Sequence, residues 1–202
     1  MFSGKKVNLS NVNVAVDGNS LGTPQFGSTP WPEQMRLRVN DPGCIVNNYC
    51  ISGQSTTEML QDAKTQIDPT IVAGKTNILF CMEVGNDLYF GRTPNLTTAI
   101  QNYRQYCYDR RQAGWKVIAM TCYDRNQFAT APLLRQQLKD FNQWLRENWT
   151  GIANDLVDCW QDPVYRDADN TFYFPDAVHP NIAGTYGIAE LAYRALLRAT
   201  AQ

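Results

Sequence analysis

The chain has 202 residues, 44% of them hydrophobic, and 18 Lys and Arg against 19 Asp and Glu give a formal net charge of −1. That length supports one ordinary hydrophobic core, so a single domain over residues 1–202 is expected. The balanced charge, with no Lys/Arg run, argues against nucleic acid or an anionic membrane as partner, and no stretch approaches the ~18 apolar residues of a bilayer span.

In chain order, Met1-Phe2-Ser3-Gly4-Lys5-Lys6 carries no apolar signal-type segment and leads toward the first strand, Val12–Val16. This strand ends in Asp17-Gly18-Asn19-Ser20-Leu21-Gly22, a Gly-rich polar turn that delivers a serine to its C-terminal end. A Pro/Gly-rich loop, Thr23–Pro30, precedes a short helix opened by Trp31-Pro32-Glu33. The second strand, Cys44–Cys50, runs into Ile51-Ser52-Gly53-Gln54. Ser55-Thr56-Thr57-Glu58 reads as a capping box for a helix to about Gln66, broken by Asp68-Pro69. The third strand, Asn77–Met82, ends in Glu83-Val84-Gly85-Asn86-Asp87.

Thr93-Pro94 opens a helix with Leu96, Ile100, Tyr103 and Cys107 at helical spacing, stopped near Gly114. Lys116–Thr121 is the fourth strand, and Pro132 opens a helix with Leu134, Leu138, Phe141 and Leu145 on one face. Ile152–Cys159 is the fifth strand and Asn181–Ala199 the last helix. Repeated βα units with right-handed crossovers predict an α/β fold, a three-layer α/β/α sandwich on a five-stranded parallel sheet.

Tyr103, Phe141, Trp144 and Trp149 are expected to pack helices rather than touch a ligand. Segments that follow strand ends line the crevice of such folds. Tyr89-Phe90, Tyr123-Asp124-Arg125 and Phe172-Tyr173-Phe174 are therefore the pocket candidates, with Tyr89, Tyr123 and Tyr173 as candidate substrate contacts. The sequons at Asn8, Asn95 and Asn148 read as incidental.

Six cysteines make an even count, yet their positions argue against bridges. Cys81 and Cys122 fall in apolar runs, Cys107 lies on an inward helix stripe, and Cys44 and Cys50 would stand about 20 Å apart along one strand. Free thiols suit a reducing compartment. With one histidine and no Cys-x-x-Cys pair, zinc-site spacing is missing, and neither metal nor cofactor is expected.

The sole histidine, His179, lies in Asp176-Ala177-Val178-His179-Pro180. Imidazole is the side chain best suited to moving protons near neutral pH, and a carboxylate three residues ahead of it concentrates that capacity. In open α/β sheets the ligand crevice lies at the carboxyl ends of the strands, where Ser20, Gly53 and Asn86 are expected.

In the order and chemistry of four blocks, Gly18-Asn19-Ser20-Leu21, Gly53, Gly85-Asn86-Asp87 and Asp176-x-x-His179-Pro180, the chain resembles the SGNH hydrolases, the GDSL-type esterases and lipases, over about residues 12–190. The resemblance implies the flavodoxin-like fold of that superfamily, a nucleophile at Ser20, a base at His179 and an orienting carboxylate at Asp176. It also implies oxyanion donors from the backbone N–H groups of Ser20 and Gly53 and the amide of Asn86. One departure is Asn19, where the family usually has Asp; it keeps open a non-catalytic carbohydrate-binding or structural module that retains the fold. The reading is a serine esterase acting on a small-molecule or carbohydrate ester, with acetyl as the favoured acyl group and acyl transfer as an alternative. A cytoplasmic or virion-associated location is expected, and the oligomeric state stays open.

Overall fold

β1 (Val12–Gly18) is buried along its whole length, as its Val14-Ala15-Val16 centre, apolar on both faces, requires of a strand covered on both sides. It pairs in parallel with β2 (Ile45–Asn48) on one side and β3 (Thr76–Met82) on the other, and β4 (Lys116–Met120) and β5 (Asp155–Val157) complete the order β2-β1-β3-β4-β5. The computed structural model describes residues 7–25, 27–125, 128, 130–167 and 169–201. Met1–Lys6, where no signal-type segment is expected, lies outside them. The five-stranded all-parallel sheet and flanking helices give the expected α/β sandwich.

Right-handed crossovers fix which helix covers which face. The step from β1 out to β2 carries α1 (Trp31–Val39), whereas every later step runs the opposite way. Accordingly α1 packs on α6 (Ile182–Thr200), while α4 (Leu96–Ala113) packs between α2 (Thr56–Gln66) and α5 (Pro132–Ile152). Tyr103 and Phe141 meet edge to face at 5.3 Å between α4 and α5, and Trp144 and Trp149 pack half-buried against the same core. Among the described residues no helix is long and apolar enough to cross a membrane.

Several boundaries differ from the sequence reading. β5 covers only Asp155–Val157 because α5 runs on to Ile152, which continues the buried stripe of Leu138 and Leu145. β2 is a short, half-exposed edge strand ending at Asn48; the Asn48 amide donates to the Gly22 carbonyl at 2.6 Å and so ties this edge to the Ser20 turn. The Gly85-Asn86-Asp87 segment, read as a turn, is the first turn of a short helix, α3 (Gly85–Tyr89). The helix expected from Thr93-Pro94 starts at Leu96, and Asn95 of the second sequon is its cap, accepting from Thr98 N–H at 2.9 Å. All six cysteines are free thiols; Cys81 Sγ lies 3.8 Å from Cys107 Sγ in the core.

The order β2-β1-β3 places a topological switch point between β1 and β3, since the chain leaves β1 in one direction and returns on its other side. Ser20 follows β1 and Asn86 follows β3, so both sit at that point.

Candidate active site

The first block is held by Asn19. Its Oδ1 accepts from the Leu21 N–H at 2.9 Å, capping a single 3-10 turn over Ser20–Gly22. A carboxylate oxygen would accept the same bond, so the amide preserves this turn. Gly18 and Gly22 are needed for closeness: a Cβ on Gly18 would come 2.7 Å from the Met82 carbonyl, and one on Gly22 would collide with Cys50 Sγ. Asp17 points into the core, where its carboxylate accepts from Tyr106 Oη at 2.6 Å.

The last block is a tight turn. Asp176 Oδ1 accepts from the Val178 and His179 backbone N–H groups at 2.9 and 2.6 Å, while Oδ2 meets His179 Nδ1 at 2.7 Å. The turn puts Ala177 at φ +66°, a left-handed conformation that a non-Gly residue adopts only when its surroundings impose it. Burial alone would raise the Asp176 pKa, but the hydrogen bonds from the His179 ring and the two backbone N–H groups outweigh it and hold the carboxyl below its ordinary range. On the far side of the ring, Nε2 stands 2.9 Å from Ser20 Oγ. The structure thus brings Asp176, His179 and Ser20 into one hydrogen-bonded line across 159 residues of sequence.

Gly53 and Asn86 lie beside that line. Gly53 has φ +81°, while a Cβ there would meet nothing within 4 Å. The backbone conformation, more than crowding by the rest of the chain, is what asks for glycine. Asp87 joins its loop to that of Asn86: its carboxylate accepts from Thr56 N–H at 2.9 Å and Thr56 Oγ1 at 2.7 Å, at the start of α2. The expected capping box of α2 is present, Ser55 with Glu58, and fixes the chain just beyond Gly53.

Ser20, Ser52, Gly53, Asn86, Phe90, Arg125, Val178 and His179 line one cleft of about 230 Å³. Of the expected contacts, Tyr89 is part-exposed but stacks edge to face on Phe90 rather than lining the cleft. Tyr173 is half-buried, and its carbonyl receives the Asn181 N–H at 2.8 Å. Tyr123 is fully buried between Tyr165 and Phe174, so the expectation that it contacts substrate is corrected: residues 121–125, just after β4, run through the core. Asn142 of α5 enforces that course by pairing both its side-chain oxygen and nitrogen with the backbone of Cys122.

Sequence reasoning passed over Ser52, Val178 and above all Glu83. Glu83 is fully buried at the end of β3, where Oε1 accepts the Asn86 N–H at 2.6 Å. A carboxylate three residues before Asn86, closing an apolar strand, was the available signal. Burial pushes Glu83 up to about 8, against the pull of the Arg125 charge. Burial likewise raises Asp17 to about 7, opposed by its bonds from Tyr106 and the Gly18 backbone.

Both carboxyls have folded-state pKa values above their ordinary 4.5 and 3.8. Their contribution to stability is therefore complete below those values and is lost as the pH climbs through about 7 and about 8. Each group changes stability by about 1.4 kcal/mol per pH unit inside its window, or roughly 3–5 °C in a chain this size. The melting temperature should fall between pH 5 and 8.5, and Glu83→Gln should flatten that fall. Parallel melting curves for the wild type and Glu83→Gln would show that the buried acid does not titrate in this window.

An all-parallel α/β sheet carrying a serine, an imidazole and a carboxylate in line at its switch point defines a hydrolase class of site. The profile of the GDSL-like lipase/acylhydrolase family matches residues 14–185, so the chain belongs to that family and is a carboxylic ester hydrolase. No curated protein sequence matches it. Among solved structures it is similar to a member of the lipolytic protein G-D-S-L family from Veillonella parvula, at 19% identity and TM-score 0.72 over 93% of this chain and 99% of that one. It is also similar to the acetyl xylan esterase AlAXEase (14%, TM-score 0.74, over 91% and 99%). The lipase/acylhydrolase from Enterococcus faecalis matches at 14% and TM-score 0.73 over 92% and 95%. At these identities the likeness is one of fold.

Proposed function

We propose that the protein is a serine esterase for short acyl groups, acetyl foremost, carried on a small alcohol or a carbohydrate. The observation that carries this reading is the line Asp176–His179–Ser20, with 2.7 and 2.9 Å links, opening on a cleft with Gly53 and Asn86 in its wall.

Ser20 Oγ gives its proton to His179 Nε2 as it attacks the ester carbonyl, and Asp176 steadies the imidazolium that results. The oxyanion is received by the Ser20 and Gly53 backbone N–H groups and the Asn86 amide, donors worth about 3–4 kcal/mol each when removed singly. His179 then returns the proton to the departing alcohol. Water releases the acyl group from Ser20 by the same steps in reverse.

Two features favour a short acyl chain. The cleft, at about 230 Å³, lies below the roughly 300–1,000 Å³ of pockets that take drug-sized ligands. Its wall is also mostly polar or small, with Phe90 and Val178 as the larger apolar surfaces. A carbohydrate alcohol draws support from the fold shared with an acetyl xylan esterase. The test is a p-nitrophenyl ester series from acetate to decanoate, run beside acetylated xylan. kcat/KM should peak at acetate and drop by about tenfold or more by octanoate, since a pocket of this size cannot bury the added methylenes. A preference for octanoate or longer would overturn the short-acyl assignment.

A further inference from the structure

Asn86 is gripped at three separate atoms. Its backbone N–H donates to Glu83 Oε1 at 2.6 Å, its Nδ2 donates to the Gln54 carbonyl at 2.8 Å, and its Oδ1 accepts from Arg125 Nη1 at 3.3 Å. A carboxamide has one accepting and one donating end, and the two can exchange by a half-turn about its last bond. A guanidinium only donates and a backbone carbonyl only accepts, so this pair of neighbours permits a single orientation. With Nδ2 committed as donor, one of its N–H bonds goes to Gln54, leaving the second for an oxyanion. After a half-turn, Oδ1 would face the forming negative charge and repel it.

Arg125 is built into this place. It is 2% exposed yet lines the cleft, and its guanidinium packs against Gly85, where any Cβ would collide with it. Its Nη2 is buried without a hydrogen-bond partner among the described residues. Burying a cation so incompletely paired is costly, and a buried polar atom without a partner calls for an explanation. The Glu83 carboxyl on the other side of Asn86 completes the clamp.

We propose that Arg125 is a positioning residue for the oxyanion site, acting through Asn86 by locking the amide with its N–H toward the cleft. This rests on the esterase reading above for its catalytic consequence, though the lock itself can be measured without turnover. Arg125→Met keeps much of the side-chain length and removes every donor. Loss of a whole oxyanion donor costs about 10²–10³ in kcat, so partial loss of its orientation should cost about 10–10², with KM changed by less than about threefold. Arg125→Lys, which can still donate to Oδ1, should recover part of the rate. In an Asn86→Ala background, Arg125→Met should cost almost nothing further, because the group it orients is gone.

An unchanged kcat in folded Arg125→Met would overturn the proposal. So would a loss that multiplies in full with that of Asn86→Ala, which is the signature of a direct contact with substrate. If Arg125→Met does not fold, Arg125→Lys in both backgrounds gives the same cycle. The second readout is the pair of Asn86 side-chain NH₂ signals in ¹H–¹⁵N spectra, identified by their absence in Asn86→Ala. They should be resolved and slow to exchange in the wild type, restored in part by Lys, and averaged or fast-exchanging in Met while backbone dispersion is retained. Unperturbed amide signals in Arg125→Met would refute the lock whether or not the protein turns over esters.

Discussion

Ser20→Ala is expected to remove ester hydrolysis, with kcat lower by on the order of 10⁴–10⁶, and to abolish labelling by a fluorophosphonate probe. The fold should survive. Ser20 is 8% exposed, and its Oγ bonds to His179, while the turn around it is held by main-chain atoms and by Asn19. The Ser20 carbonyl keeps its bonds from Thr23 N–H and Thr23 Oγ1 whatever the side chain is. The variant should therefore melt within about 1–2 °C of the wild type, since truncating one small polar side chain removes little buried apolar area. The residual rate would come from the remaining oxyanion donors acting on water. A cleanly folded Ser20→Ala protein that still turned over p-nitrophenyl acetate would end the acyl-enzyme mechanism, and a labelled one would place the nucleophile elsewhere.

What the sequence made legible was whatever depends on local pattern. β1 and β3 are read easily because strands buried on both faces are largely apolar runs, and their polar, Gly-bearing ends mark where side chains enter the crevice. The Ser55–Glu58 capping box needs only four consecutive residues. The illegible part is tertiary. Tyr123 follows a strand as a pocket residue should, but Asn142, from a helix 20 residues on, pulls the preceding residue inward and leaves Tyr123 among Tyr165 and Phe174. Arg125 and Glu83 acquire their meaning only from the distance between two strand ends, which no local window contains. The positive φ of Ala177 is equally silent in sequence, because alanine does not advertise it.

The other large effect belongs to His179 and Asp176. His179→Ala should cost on the order of 10⁴–10⁶ in kcat, as removal of the nucleophile does, because the two groups act as a unit. With a single histidine in the chain, every imidazole NMR signal has one possible source. A folded His179→Ala protein that kept the wild-type kcat would remove His179 as the base.

Asp176→Asn is the sharper variant, and the geometry dictates how it fails. In the wild type one carboxylate oxygen serves two backbone N–H donors and the other serves the ring. An asparagine has one accepting oxygen, which the two N–H groups at Val178 and His179 will claim, so its amide nitrogen must face His179 Nδ1. Facing a donor, Nδ1 has to accept, and the ring's proton moves to Nε2. That nitrogen then donates toward Ser20 Oγ and can no longer take its proton. The expected outcome is an intact turn, a loss on the order of 10³–10⁴ in kcat, and an exchange of the neutral tautomer from Nδ1–H to Nε2–H in the ¹⁵N shifts of the ring. If Asp176→Asn kept the wild-type tautomer and rate, the carboxylate would be no more than a cap on its own turn.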